Sequence, residues 1–250
     1  MKNIAVIILA AGKGTRMKSD KAKVLHEINS KPMVSYVVET ASKVAGDNIV
    51  VVIGHQRQDV KNAVLRTVNA RFAIQEEQKG TGHAVHCALP EIDSSIEDIV
   101  ILCGDVPLIS SDTIKNLIDK HKNENAVVTV LAVNVENPKG YGRMITDESG
   151  SVIKIVEEAD ANDNEKSICL INSGIYCVEK DFLFQAIAKI KDSNAQNEFY
   201  LTDIVGIASL DNKRVSLFEG PSTDEVVGVN TCDDLDNAQR LLAKGVSEIS

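Results

Sequence analysis

The chain has 250 residues, of which 44% are hydrophobic, a length and composition sufficient for one large domain with a well-filled core. It carries 27 basic and 36 acidic residues, a formal net charge of −9, which argues against a nucleic-acid-binding or anionic-membrane-binding surface. The five cysteines are scattered without a C-x-x-C pair, and no apolar run is long enough to span a membrane. We therefore expect a cytoplasmic protein without a disulfide framework or a zinc site.

The first half of the chain alternates strand and helix patterns. In chain order the patterns predict a strand at 4–10, a helix at 33–44, a strand at 48–54, a helix at 58–65, a strand at 70–75, a helix at 83–89, a strand at 98–105 and a helix at 110–122. Continuous apolar runs such as IAVIILA at 4–10 are typical of parallel strands covered on both faces. This alternation predicts an open α/β sheet flanked by helices.

Beyond Asn125 the pattern becomes rich in strands. Strands are predicted at 126–133, 142–146, 151–157 and 169–178, helices at 180–189 and 200–209, a strand at 214–220 and a helix at 232–242. We expect one domain over 1–230 with β-rich elements within about 126–215 appended to the sheet, followed by a C-terminal helix or arm over 231–250. Ligands in open α/β sheets bind beyond the carboxyl ends of the strands.

The first predicted strand is followed by a glycine-containing loop with two cations, GKGTRM at 12–17. The loop lacks the third glycine of a dinucleotide-binding fingerprint, because Met17 stands there, and it lacks the Gly-Lys-Ser/Thr ending of a P-loop. Glycines let backbone N–H groups approach an anion closely, and Lys13 and Arg16 add positive charge. The loop alone permits two interpretations, an anion-binding site and a strand-to-helix turn with surface cations.

Two apolar segments end in polar side chains that are candidate ligands. Asp105 follows Gly104 at the end of ILCGD, and Asn230 ends VVGVN before the last predicted helix. A carboxylate at a buried strand end is a helix cap, an ion-pair partner or a metal ligand, and Asn230 is either a helix cap or a second oxygen donor. Two oxygen donors from separate strand ends, with water and phosphate filling the other positions, are typical of Mg²⁺ in phosphoryl-transfer sites.

A third candidate cluster lies in QEEQKGTGHAV at 75–85. Gln75 and Gln78 fall near a predicted strand end, and Gly80 and Thr81 stand at the start of a predicted helix. Because helix N-termini favour negative charge, the backbone there is suited to a phosphate or a base.

The histidines do not form a recognisable catalytic set. His83 and His86 share a helical face at a spacing that permits metal binding, but no third ligand is nearby and ordinary packing is the favoured interpretation. No Ser/His/Asp arrangement is recognisable, and His26, His55 and His121 have no recognisable partners.

Eight groups of residues occur in the order and spacing typical of sugar-nucleotide pyrophosphorylases. They are LAAGKGTRM with KVL shortly after it, EEQKGTGHA, GDVPLI, GYGRMI, IVEEADA, INSGIY, NEFYLTDI and VVGVN. From about residue 3 to residue 245 the chain most resembles the uridyltransferase half of the bacterial bifunctional N-acetylglucosamine-1-phosphate uridyltransferase/glucosamine-1-phosphate acetyltransferases. The resemblance implies a Rossmann-like nucleotide-diphospho-sugar transferase fold, with an open, mostly parallel mixed sheet and a small β-rich sugar-binding lobe.

The resemblance also implies roles for individual residues. The opening loop would embrace the nucleotide, and the catalytic residues would be Arg16, Lys23 and Asp105. The implied nucleotide-binding residues are Leu9, Ala10, Ala11, Gly12, Gly14, Lys23, Gln75, Gly80 and Thr81. The implied sugar-binding residues are Cys103, Gly104, Gly142, Glu157, Asn172 and Asn230. Asp105 and Asn230 would hold the cofactor Mg²⁺.

Two positions depart from the family pattern. The family usually has Leu-Pro-Lys before VL, where this chain has KAK at 21–23, so the lysine is kept but Ala22 replaces the proline that stiffens its approach. Cys103 stands where the family often has the tyrosine of Tyr-Gly-Asp, so the phenolic ring of that position is missing near the sugar site. We expect the second departure to weaken acceptor binding slightly.

The implied substrates are UTP and N-acetylglucosamine 1-phosphate, and the implied products are UDP-N-acetylglucosamine and pyrophosphate. No general base is needed, because a phosphate monoester is already ionised, with a second pKa near ~6. The same chemistry on another nucleotide or sugar 1-phosphate is an alternative. A non-catalytic nucleotide-sugar sensor subunit is another, although it would be expected to lack Lys23, Asp105 or Asn230.

The related bifunctional proteins continue into a left-handed β-helix that carries the acetyltransferase and the trimer contacts, whereas this sequence ends at Ser250. From the sequence we therefore expect no acetyl transfer. Without the trimerising domain, the resemblance does not predict an oligomeric state.

Overall fold

The structure is a computed structural model that describes residues 3–14, 17, 19–148, 150–226 and 228–247, without the side chains of 244–247. The strands are β1 (Ile4–Ala10), β2 (Glu27–Ile28), β3 (Lys31–Pro32), β4 (Ile49–Ile53), β5 (Arg71–Ile74), β6 (Asp98–Cys103), β7 (Val128–Asn134), β8 (Arg143–Thr146), β9 (Val152–Val156), β10 (Leu170–Glu179) and β11 (Val215–Glu219). The helices are α1 (Met33–Ala45), α2 (Arg57–Leu65), α3 (Thr81–Ala88), α4 (Ser111–Asn123), α5 (Asp163–Lys166), α6 (Lys180–Ile187), α7 (Asp203–Leu210), α8 (Thr223–Val226) and α9 (Cys232–Ser247). Short 3₁₀ turns lie at Lys23–Leu25 and Leu89–Glu91. Each strand and helix predicted from the sequence is present, with ends that shift by a few residues.

Among the described residues, nine strands form one open sheet, and four of the six neighbouring pairs along its main order are parallel. The order along the sheet is β11-β7-β10-β6-β1-β4-β5. Parallel pairs join β1 to β4 and β6, β4 to β5, and β11 to β7, whereas β10 runs antiparallel between β6 and β7. This arrangement confirms the open, mostly parallel mixed sheet that the sequence predicts.

The β-rich half of the chain is divided between the central sheet and a small hairpin. β7, β10 and β11 are strands of the central sheet itself. β8 and β9 form an antiparallel hairpin off the main order, attached to β10 by the pair Arg143 and Ile171. The appended part is therefore smaller than the sequence pattern suggests, because periodicity identifies a strand without identifying its partner.

Apolar layers cover both faces of the sheet. In β1, Ile4, Val6 and Ile8 pack on the face covered by α1, α2 and α4, whereas Ala5 and Ile7 pack on the face covered by α3, α6 and α7. Successive side chains of a strand point to opposite faces, so a strand covered on both sides must be apolar throughout. Within the described part of the chain, no helix has the length and apolarity needed to cross a membrane.

The C-terminal helix packs back onto the domain. Ala238 of α9 is buried with Ile28 and Met33 in a small apolar cluster. Just before α9, the Val229 N–H donates to the Asp105 carbonyl oxygen at 2.9 Å. These contacts place the start of α9 beside the end of β6.

A buried arginine fastens the hairpin to its surroundings. Arg143 is 1% exposed, and its guanidinium donates to Glu158 Oε2 at 2.6 Å. The same group donates to the backbone carbonyls of Tyr141 and, at 3.4 Å, of Lys166. One side chain therefore connects the loop before β8, the segment after β9 and α5.

We expect Arg143→Ala to lower the free energy of unfolding by about 2–4 kcal/mol, because the variant loses the packing of a buried side chain and the hydrogen bonds that its charged guanidinium donates. Urea denaturation followed by circular dichroism measures this loss. Lys154→Ala is the matched control on β9, since Lys154 is half exposed and pairs with Glu165 at 3.2 Å. The control should shift by less than about 0.5 kcal/mol, and equal losses in the two variants would contradict the role of Arg143.

Candidate active site

Two adjoining cavities open at the carboxyl ends of β1 and β6, where a ligand is expected in an open α/β sheet. The larger cavity has a volume of about 440 Å³ and the smaller a volume of about 270 Å³. The residues that line both are Leu9, Lys23, Thr81, Cys103 and Asp105. The two cavities therefore share a wall that contains a cation and a carboxylate.

Most site residues predicted from the sequence line these cavities. The smaller cavity is lined by Leu9, Ala10, Ala11, Gly12, Lys23, Gln75, Gly80 and Thr81, among others. The larger cavity is lined by Cys103, Asp105, Gly142, Glu157, Asn172 and Asn230, among others. Gly14 and Gly104 are absent from both linings, and Arg16 lies outside the residues that the structure describes.

Gly14 and Gly104 support residues of the shared wall. The Gly104 N–H donates to the Leu9 carbonyl oxygen at 2.9 Å, which joins the ends of β1 and β6. Gly14 has a φ of +70° and packs directly against the Lys23 side chain, with no room for a Cβ. A side chain at position 14 would strain the backbone and displace Lys23.

The Lys23 ammonium joins two loops at the shared wall. Lys23 Nζ contacts Asp105 Oδ2 and lies 2.9 Å from Asn230 Oδ1. Of the three interpretations of Asp105, the structure therefore shows the ion pair. The two oxygens come from separate loops and converge on one cation.

Thr231, rather than Asn230, caps α9. Thr231 Oγ1 accepts from the Asp234 N–H at 3.2 Å, and Asp234 Oδ2 accepts from the N–H groups of Thr231 and Asn230, each at 2.9 Å. The Asn230 side-chain nitrogen donates to the Gly228 carbonyl at 2.9 Å. Because a carbonyl can only accept, this bond fixes the amide with its oxygen towards Lys23.

Gln56 holds the segment that precedes Lys23. The Ala22 N–H donates to Gln56 Oε1 at 2.7 Å, and Gln56 Nε2 donates to the Asp20 carbonyl at 3.0 Å. Ala22 has φ −54° and ψ 136°, a conformation that proline also adopts. A proline has no N–H to donate, so the bond to Gln56 is possible only because position 22 departs from the proline of the family pattern.

The larger cavity contains a phenol although residue 103 is a cysteine. Cys103 Sγ lies 3.6 Å from the Gly174 carbonyl oxygen, and burial, with the nearby Asp105 carboxylate, raises the pKa of the thiol to about 12. Tyr176 lines the same cavity, and its hydroxyl accepts from Asn172 Nδ2 at 2.7 Å. Sequence reasoning missed Tyr176, although it lies in INSGIY and shares a strand face with Asn172.

Glu157 is a carboxylate in an unfavourable environment. Burial raises the pKa of Glu157, and the nearby carboxylates of Asp160, Asp203 and Glu198 add to that effect. Thr202 Oγ1 donates to Glu157 Oε1 at 3.1 Å and partly opposes it. Thr202 lines the larger cavity and was also missed, because its contact with Glu157 joins segments distant in sequence.

The start of α3 is joined to the segment 198–202. The Leu201 N–H donates to Thr81 Oγ1 at 3.0 Å. Gly80 has a φ of +103°, and a Cβ there would lie 2.6 Å from the Phe199 carbonyl oxygen, so glycine is required. These contacts join Gly80 and Thr81, which line the smaller cavity, to the segment that contains Thr202, which lines the larger cavity.

His121 has partners that sequence reasoning did not identify. Its Nδ1 lies 2.9 Å from Thr129 Oγ1 and its Nε2 lies 3.5 Å from Asp98 Oδ1. Thr129 is fully buried, and Asp98 is the first residue of β6, at the opposite end of this strand from the two cavities. A buried hydroxyl cannot reach a substrate, so this chain of polar groups links α4 to the sheet.

The sequence match covers most of the chain. The family described as nucleotidyl transferase matches residues 5–221. The bifunctional protein GlmU of Geotalea uraniireducens is 49% identical over 242 residues, which are 97% of this chain and 53% of that protein. The bifunctional protein GlmU of Pelobacter propionicus is 44% identical over 247 residues, which are 99% of this chain and 54% of that protein. The chain thus spans about half the length of these curated relatives.

Solved structures share the fold. A UDP-glucose pyrophosphorylase complexed with UDP-glucose superposes with a TM-score of 0.75 and 19% identity, covering 98% of this chain and all of that chain. A putative glucose-1-phosphate thymidylyltransferase from Bacillus anthracis superposes with a TM-score of 0.74 and 20% identity, covering 95% of this chain and 94% of that chain. At this identity the likeness shows the Rossmann-like nucleotide-sugar transferase fold. The fold and the sequence match over residues 5–221 together show that the chain belongs to the nucleotidyl transferase family and is a nucleotidyltransferase.

Proposed function

We propose that the enzyme transfers a uridylyl group from UTP to N-acetylglucosamine 1-phosphate, giving UDP-N-acetylglucosamine and pyrophosphate. The observation that carries the proposal is the meeting of two cavities at Lys23 and Asp105, where Asn230 contacts Lys23 from the larger cavity. A nucleotide in the smaller cavity and a sugar phosphate in the larger one would bring their phosphates to the shared wall. The motif resemblance supports uracil and N-acetylglucosamine as the two recognised groups.

The acceptor phosphate is the nucleophile in this reaction. One of its oxygens forms a bond to the α-phosphorus of UTP while the bond to the departing pyrophosphate breaks. No protein base is needed at neutral pH, since the acceptor has a second pKa near ~6. The protein positions both substrates and neutralises charge, with Lys23 at the reacting phosphate. By resemblance, Arg16 and the N–H groups of the opening loop stabilise the departing pyrophosphate.

Asp105 and Asn230 fit a divalent cation. Their side-chain oxygens already converge on one positive charge, the Lys23 ammonium. Across the described residues, no group of three or more His, Cys, Asp and Glu side chains is placed to hold a metal. We propose that these two oxygens would hold Mg²⁺, and the bound ion would supply charge neutralisation for the substrate phosphates.

The larger cavity offers oriented polar groups to the acceptor sugar. Asn172 Nδ2 donates to Tyr176, and Asn172 Oδ1 accepts from the Gly174 N–H at 3.0 Å, so the amide has one orientation. Glu157 is held by Thr202 and can accept from a sugar hydroxyl. These fixed groups support recognition of a sugar that carries both hydroxyl and acetamido groups.

Bulk properties support small-molecule partners and a cytoplasmic location. The net charge of −9 is unfavourable for nucleic acid and anionic membranes. The five cysteines are free thiols, which suits the reducing cytoplasm.

Pyrophosphate release from a panel of nucleotides and sugar 1-phosphates, with and without Mg²⁺, tests the proposed function. We expect the highest kcat/KM for UTP with N-acetylglucosamine 1-phosphate and no turnover without the metal. A higher kcat/KM for another pair would reassign the substrates. If nucleotides bind but none of the pairs is turned over, the protein is a nucleotide-sugar sensor.

Asp105→Ala should reduce turnover at least ~100-fold, because it removes the carboxylate at the shared wall. The measurement is pyrophosphate release, with circular dichroism to confirm folding. Asp112→Ala is the control, since Asp112 is an exposed carboxylate on α4 paired with Lys115 at 3.0 Å. Near-normal Mg²⁺-dependent turnover of Asp105→Ala would reject its assignment as a metal ligand.

Lys23→Met should strengthen Mn²⁺ binding in the absence of nucleotide by about tenfold or more, because the ammonium competes for the same oxygens. Electron paramagnetic resonance of free Mn²⁺ measures the affinity without any turnover. Lys21→Met is the control, since Lys21 is exposed and pairs with Glu27 at 3.2 Å. Unchanged or weaker Mn²⁺ binding in Lys23→Met would remove Asp105 and Asn230 as the metal site.

Glu157→Gln should raise the melting temperature at neutral and higher pH while weakening sugar-phosphate binding. The folded pKa of Glu157 is raised above its ordinary 4.5, so ionisation disfavours the folded state above that raised pKa. The difference in melting temperature should vanish as the pH falls towards 4.5. The KM for the sugar phosphate should rise about tenfold, since a charged acceptor is lost. A variant less stable than the wild-type enzyme at high pH would contradict this account.

A further inference from the structure

The side-chain amide of Gln75 forms two hydrogen bonds through one atom. Gln75 follows β5, lines the smaller cavity and is 3% exposed. Its Nε2 donates to the Gly80 carbonyl oxygen at 3.0 Å and lies 3.1 Å from His83 Nδ1. Among the described residues, no group donates a hydrogen bond to the opposite atom, the carbonyl oxygen Oε1.

These contacts fix the orientation of the amide and the proton position of His83. The Gly80 carbonyl can only accept, so the atom facing it must be the NH₂ group of Gln75. The same NH₂ faces His83 Nδ1, which must therefore be unprotonated and accept the second hydrogen. The His83 proton then lies on Nε2, which is 3.8 Å from Cys87 Sγ.

The surroundings of His83 favour this neutral ring. Burial lowers the pKa of His83 from its ordinary 6.5, and the positive charges of Lys79 and His86 lower it further. The backbone carbonyl and carboxylate of Glu77 act in the opposite direction but are outweighed. The ring also packs near Phe199, with 6.4 Å between ring centroids.

We propose that His83 is a positioning residue for base selection, acting through Gln75. Gly80 and His83 engage both amide hydrogens of Gln75, so Gln75 offers the base an acceptor and no donor. This inference rests on the proposed function, in which the smaller cavity takes a uridine nucleotide.

An acceptor at this position discriminates between pyrimidines. Uracil carries an N–H at position 3, which can donate to Gln75 Oε1. Cytosine has a lone pair on that nitrogen, so two acceptors would face each other and both would lose a partner. If His83 no longer accepts, one amide hydrogen becomes available to the base and the discrimination weakens.

Two variants of nearly equal size separate hydrogen bonding from packing. His83→Asn can place an acceptor near the position of Nδ1, whereas His83→Leu cannot accept a hydrogen bond. The measured quantity is the ratio of kcat/KM for UTP to that for CTP, together with the ratio of their equilibrium affinities. His86→Leu is the control, since His86 is exposed one turn further along α3.

We expect His83→Leu to lower the UTP:CTP ratio at least about tenfold, and His83→Asn to keep it within about threefold of wild type. A wild-type ratio in His83→Leu would overturn the proposal, and equal losses in both variants would assign His83 to packing alone. The affinity ratio needs no acceptor sugar, so it tests His83 even where the proposed sugar is wrong. A wild-type protein that binds CTP more tightly than UTP would overturn the assigned amide orientation.

The pH dependence of the same ratio is a second measurement. Protonation puts a hydrogen on Nδ1 facing the amide, so the UTP:CTP ratio should fall as pH is lowered from about 8 to about 5.5. The titratable groups around His83 are Glu77, Lys79, His86, Cys87 and Glu198, the last beside Phe199. Titration of the phosphate groups cancels in the ratio, and any protonation of the cytosine ring contributes equally to every variant. We expect the dependence in His86→Leu to match that of the wild type and the dependence in His83→Asn to be weaker. A dependence as steep in His83→Asn as in the wild type would exclude His83 as its source.

Discussion

The Lys23 ammonium organises the candidate active site. It joins the loop after β6, through Asp105, to the loop before α9, through Asn230. Without it, the Asp105 carboxylate would lie at a partly buried strand end with no positive partner among the residues that the structure describes, which is costly. Substrate phosphates would bring further negative charge to this wall. The ammonium that pairs with Asp105 is therefore also placed to neutralise a substrate. One cation therefore serves the stability of the loops and the chemistry proposed for them.

Several polar groups in the cavity walls are oriented by protein neighbours. The amides of Asn230, Asn172 and Gln75 are each bonded to a backbone group that determines which end of the amide is which: Asn230 and Gln75 donate to carbonyls, and Asn172 accepts from an N–H. Donors and acceptors oriented in advance need little rearrangement when a ligand binds. Glu157 differs from these amides, because its burial disfavours the ionised form, which is the stronger acceptor for a sugar hydroxyl.

The sequence predicts the elements of this fold better than it predicts their contacts. Apolar runs such as 4–10 identify the buried strands because both faces of the sheet are covered. The partners of β7, β10 and β11 depend on pairings between distant segments, which periodicity does not contain. The motifs identify most cavity-lining residues, yet the contact of Thr202 with Glu157 forms only when folding brings distant segments together. Tyr176 and His83 lie within the motifs, but the motifs do not show which groups their side chains contact.

The bond between Gln56 and Ala22 has a consequence for how such chains can change during evolution. In this protein a proline at position 22 would remove the N–H that Gln56 accepts, leaving the glutamine carbonyl without that donor. Conversely, loss of Gln56 would release the segment before Lys23 while position 22 still lacked a proline's rigidity. The effect of either substitution therefore depends on the residue at the other position. If the Ala22 and Gln56 pair is replaced by proline and another residue in two steps, this coupling favours the intermediate with proline at position 22 and glutamine at position 56 over the intermediate that has neither.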